Sequence, residues 1–160
     1  MNIFGKHLSE YVAFVRWFLV LILVVGLTRL ALSLAGVPNS TAKWISVTGV
    51  LWLAVLYYSI RVRTSGFGSY KQLLGVIVVL NVVAQAVIIT GICIAIFTGT
   101  NNIYSASEYA FGGDGKTWLH VVAHLTLGII FGSLVPWLTG SVIMFASKKL
   151  SSRDVVIART

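Results

Sequence analysis

The sequence predicts an all-α fold, a polytopic membrane protein built as a bundle of four transmembrane helices, and three observations carry that reading. The chain is 58% hydrophobic and 10% charged, where a soluble domain carries roughly 25% charged residues. Its apolar residues gather into four continuous stretches, each long enough for a hydrocarbon core of ~30 Å, which takes about 20 helical residues. The cations lie mainly at the ends of those stretches, where they can meet lipid headgroups. A soluble fold of 160 residues would still expose about 30% of its unfolded surface and could not hide so much apolar area. Length fits one domain, 1–160.

The first span is expected over 12–34. Lys6 and Arg16 precede or open it, and Ser33-Leu34-Ala35 resembles a small-x-small cleavage site. The span exceeds a signal-peptide core of about 7–15 residues, so it reads as a retained signal anchor. Gly36, Pro38 and Asn39 break the chain before a second span at 44–62. The turn-rich TSGFGSY, flanked by cations, leads to a third at 73–98. A glycine-rich connection, 99–117, precedes the fourth at 118–147. Barrel strands would alternate over ~10 residues, and these runs do not. No repeat relates the first pair of spans to the second, which speaks against an inverted-repeat transporter.

With the N-terminus inside, nine Lys and Arg fall on the cytoplasmic side and three (Arg29, Lys43, Lys116) on the other. That bias puts both termini in the cytoplasm, in a plasma or inner membrane. The net charge of +8 does not indicate nucleic acid, because no basic run alternates with aromatics on a soluble segment. The single cysteine, Cys93, excludes an intrachain disulfide and sits in an apolar run.

Polar side chains inside spans are costly and mark candidate sites. Asn81 and Gln85 lie four apart on one face of the third span, suited to bonding a neighbouring helix or to lining a polar ligand or quinone site. His120 and His124 form an H-x-x-x-H pair on one face of the fourth. A same-face pair cannot supply both axial ligands of one haem, and a metal would need further ligands, for which Cys93, Glu108 and Asp114 lie at suitable depth. H-E-x-x-H is absent, and His7 belongs to the opposite end. Arg29 can snorkel to the interface. If the first helix packed on the fourth, Arg29 and His124 would lie at one depth and could form a small anion or quinone-carbonyl site.

The segment from Ala110 through Gly115, Lys116 and Thr117 satisfies a relaxed phosphate-loop pattern. It lacks the strand and α/β sheet that such a loop needs, so it reads as a turn ending in a helix cap. Gly128, Gly132, Pro136 and Gly140 recur every four residues, drifting ~40° per step round the helix. They suit close packing within the bundle or against another membrane chain. Ser133 could take up hydrogen-bonding capacity released by Pro136.

These features point first to a small, non-catalytic membrane subunit or assembly partner of a larger complex. That protein would meet lipid on its outside and other membrane chains through Gly128, Gly132 and Gly140, with no cofactor required. The alternative is a redox or cofactor-binding membrane protein (haem, pigment, metal or quinone). It would use His120, His124, Arg29, Asn81 and Gln85. A transporter ranks third, since no acidic residue falls within a span.

Overall fold

A computed structural model describes residues 1–110 and 112–157, with side chains described as far as Leu150. A small hairpin opens the chain: β1 (Asn2–Ile3) pairs antiparallel with β2 (Lys6–His7). Phe4 and Gly5 both take positive φ at its tip, as a tight hairpin turn requires. The rest of the described chain is helix and connection. Helix α1 runs Leu8–Leu34, α2 Asn39–Ala42, α3 Val47–Thr64 and α4 Tyr70–Thr98. The fourth long segment is composite. It comprises α5 (Trp118–Ala123), a π-helical turn (His124–Gly128) and α6 (Ile129–Ile157).

Four of these segments are long and apolar enough to cross a membrane: Leu8–Leu34, Asn39–Thr64, Tyr70–Thr98 and Trp118–Leu150. Their ends are fixed by caps. The Glu10 carboxylate accepts from the His7 amide (2.7 Å), so α1 begins before residue 12. The Gln72 side chain accepts from the Ser69 amide (2.8 Å), so α4 begins before residue 73. Gly99, at φ 72°, ends α4 in the left-handed conformation that glycine adopts without penalty.

Helices α3 and α4 touch each other and are flanked by α1 on one side and α6 on the other. Helix α4 is accordingly the most enclosed, with 44% of its most apolar stretch buried against 17% for that of the fourth segment. Outward faces carry large apolar side chains, among them Val24, Leu27, Phe131 and Val142, each more than half exposed. Such faces suit a hydrocarbon surrounding.

The small-residue row of the fourth segment is used inside this packing. A Cβ on Gly128 would come within 2.9 Å of Gln85 Oε1, one on Gly132 within 2.9 Å of Asn81, and one on Gly140 within 2.7 Å of Ser59. All three glycines thus make room for side chains of the same bundle. Ser133 likewise accepts from Asn81 Nδ2 at 3.0 Å, a partner on α4 rather than on its own helix.

Candidate functional site

Residues 102–105 of the long connection fold inward and plug one end of the bundle. Ile103 and Tyr104 are buried, and the Tyr104 hydroxyl donates to the Gly26 carbonyl of α1 (2.9 Å). Asn102 donates from Nδ2 to the Gly91 carbonyl of α4 (2.7 Å), while its Oδ1 receives the Tyr104 amide. Ser33 at the end of α1 accepts the Ile103 amide (2.8 Å). Burial pushes the Tyr104 hydroxyl above the usual tyrosine range, although the Arg29 cation beside it acts in the opposite sense.

Arg29 lies beneath this plug. It is buried, only 8% exposed. The guanidinium rests near the rings of Tyr104 (5.4 Å to the centroid) and Tyr109 (5.3 Å), and Nη2 donates to the Tyr109 hydroxyl at 3.3 Å. Its Nε–H is buried without an acceptor. Among the described residues no carboxylate pairs with it.

Opposite Arg29, a row of polar groups descends into the bundle. Thr117 caps α5 by accepting the His120 amide. His120 Nδ1 lies 2.9 Å from the Gly115 carbonyl, and its Nε2 lies 3.1 Å from His124 Nε2. His124 Nδ1 lies 2.7 Å from Gln85 Oε1. Gln85 Nε2 donates to Asn81 Oδ1 (3.2 Å) and to the Gly128 carbonyl (3.3 Å). Asn81 Nδ2 donates to the carbonyls of Gly128 and Ile129, both at 3.1 Å. These acceptors lie where the π-helical turn meets α6, a place where irregular backbone must find partners from outside its own ladder.

One cavity of about 310 Å³ joins Arg29 to His124 and is also lined by Lys43, Thr48, Tyr104 and Tyr109. Helix α1 does not need to pack on α6 for this meeting, because the two residues face the same space across the α3–α4 pair. Asn81 and Gln85 border a second hollow of about 330 Å³ between α3 and α6, which shares Thr48 with the first. A larger depression of about 590 Å³ at the surface holds Glu108, Asp114 and Lys116. Each has a partner there: Glu108 Oε2 accepts from Asn39 Nδ2, Asp114 Oδ1 accepts the Lys116 amide, and Lys116 Nζ donates to Asn101 Oδ1.

All five site residues expected from the sequence thus fall into one connected region. The suggested metal helpers do not join them. Cys93 packs with an apolar cluster, and no group of three or more His, Cys, Asp or Glu side chains among the described residues could hold a metal. Sequence reasoning missed Tyr104 and Tyr109, which bracket Arg29, and Gly115, whose carbonyl meets His120. The one available signal was the tyrosine-containing stretch inside a connection too long for a simple turn. Compared with family models, curated proteins and solved structures, the chain matches none.

Proposed function

We propose that the chain is a multi-pass membrane protein, its termini cytoplasmic, that binds a small oxyanion such as a carboxylate or phosphate group between Arg29 and His124. The observation that carries this reading is the buried Arg29 guanidinium with an unpaired Nε–H and no carboxylate partner among the described residues. Removing a cation from water costs several kcal/mol. Two aromatic faces return about 0.5–2 kcal/mol each, which leaves the charge under-compensated. An anion in the adjoining cavity would supply both the missing charge and the acceptor. The cavity, at about 310 Å³, falls at the small end of the ~300–1,000 Å³ range of ligand pockets. That size suits a compact headgroup.

The assembly-partner reading draws no support from Gly128, Gly132 and Gly140, which are occupied within the chain. Among cofactors, a quinone carbonyl is the neutral counterpart of the same recognition chemistry. A pair of histidines 3.1 Å apart at Nε2 cannot clasp a haem from both faces.

Thermal unfolding of the delipidated full chain in detergent tests the proposal, with acetate, sulfate or phosphate added, and with phosphatidylglycerol in a separate arm. A ligand at a hundred times its Kd adds about 2.7 kcal/mol of stability. We expect such a gain in wild type and its loss in Arg29→Gln. A gain with phosphatidylglycerol alone would identify the anion as a lipid headgroup. Equal gains in both proteins, or a gain only with a soluble quinone, would overturn anion binding.

A further inference from the structure

The polar row has its hydrogen-bond directions fixed from both ends, and the two directions collide at the histidines. At the inner end, the carbonyls of Gly128 and Ile129 can only accept, so the group of Asn81 facing them is its NH2. Asn81 Oδ1 therefore faces Gln85, which must present its own NH2, as its second bond to the Gly128 carbonyl also requires. Gln85 is left showing Oε1 to His124, so His124 carries its hydrogen on Nδ1. At the outer end, the Gly115 carbonyl can only accept, so His120 also carries its hydrogen on Nδ1. In two neutral rings so fixed, both Nε2 atoms are bare acceptors, and they face each other at 3.1 Å.

A proton between them converts this repulsion into an N–H···N hydrogen bond at that separation. We propose that His120 and His124 form a site for one excess proton between their Nε2 atoms, and that this proton is taken up together with the anion. The second half rests on the anion reading above.

The charges around the pair explain the coupling. From α1 the cavity receives Arg29, from the segment after α2 Lys43, and from the long connection Tyr104 and Tyr109. Helix α4 contributes the neutral amides of Gln85 and Asn81. A proton on the pair thus adds a cation to a cavity already lined by two, and no carboxylate lines it. An anion there relieves both repulsions, so proton and anion favour each other by the same factor. The proton comes from solvent, and release of the anion returns it.

Two measurements on the full-length protein test this. Calorimetry of acetate and sulfate, neither of which titrates near neutrality, is run in buffers of different ionisation enthalpy. We expect about one proton taken up per anion, and affinity falling about tenfold per pH unit above the titration of the pair. In His120→Gln the amide nitrogen can donate to His124 Nε2 without an added proton, so proton uptake should vanish and the pH profile should flatten. Proton uptake unchanged in that variant, or absent from wild type that binds the anion, would overturn the coupling.

The second measurement needs no ligand and no variant in the site. In 15N-histidine NMR, with His7 assigned by substitution, we expect both paired rings to be Nδ1–H and to gain a single shared proton as pH falls. Either ring found neutral with its hydrogen on Nε2 would sink the shared proton while leaving anion binding standing. Failure of every anion to bind would remove the coupling alone, and the NMR result would still decide the pair.

Discussion

Gly115 shows how one residue can set the position of a whole site. Its carbonyl faces His120 Nδ1, and a Cβ on it would lie 2.2 Å from the Ser105 carbonyl oxygen and 2.7 Å from the carbon behind it. Those are backbone atoms of the inward-folded plug, so they cannot swing aside as a side chain could. Gly113, two residues earlier, has as its nearest neighbour the Ala110 oxygen at 3.4 Å. We therefore expect Gly115→Ala to cost about 1–3 kcal/mol of stability and Gly113→Ala to change little, as read by thermal unfolding in detergent. The same glycine completes the phosphate-loop look-alike in the sequence. Its use here is close backbone approach, with Thr117 serving as a helix cap two residues on. Residue type was legible in both cases. The partner was not, because Ser105 reaches Gly115 only after residues 102–105 have turned into the bundle.

Among the elements, the fourth long segment departs most from a simple apolar span. Hydropathy gives one continuous run over 118–147, and the structure divides it into α5, a π-helical turn and α6. The turn falls where the side-chain amides of Asn81 and Gln85 meet the Gly128 and Ile129 carbonyls. Gly128 and Gly132 leave room for those amides, one above the other along α4. Substituting Gly132 by Ala would drive a methyl against both polar atoms of Asn81, 2.9 Å away, and displace it from its two carbonyls. We expect a loss of about 1–3 kcal/mol, against near-neutral behaviour of Val142→Ala on the exposed face of α6. Comparable melting of the two variants would show that Asn81 tolerates the intrusion. Helices α1 and α4 begin ahead of the apolar spans for a simpler reason. Hydropathy windows weigh apolar content, whereas His7 with Glu10 and Ser69 with Gln72 set the first turns by capping.

For the whole molecule, the distribution of cations predicts sidedness, and that prediction can be checked independently of any ligand. Cysteines introduced singly at Ser65 and Ser107, both exposed positions in connections, in a Cys93→Ala background should respond differently to an impermeant thiol reagent applied to intact cells. Labelling at 107 and none at 65 is expected; labelling at 65 would invert or discard the arrangement. Sidedness matters for the site, since it decides which compartment supplies the anion. The number of long apolar segments, their order and the rarity of polar groups within them followed from the sequence alone. An excess of apolar residues in runs of that length has few other solutions. The sequence also singled out Arg29, Asn81, Gln85, His120 and His124 as polar groups in unfavourable surroundings. Their assembly was a tertiary decision. It took the α3–α4 pair to set α1 and the π-helical turn facing one cavity, and the inward fold of the long connection to place Tyr104 and Tyr109 against Arg29. Periodicity fixes which face of its own helix a residue occupies; only packing fixes what that face meets, because the meeting depends on contacts between residues distant in the chain.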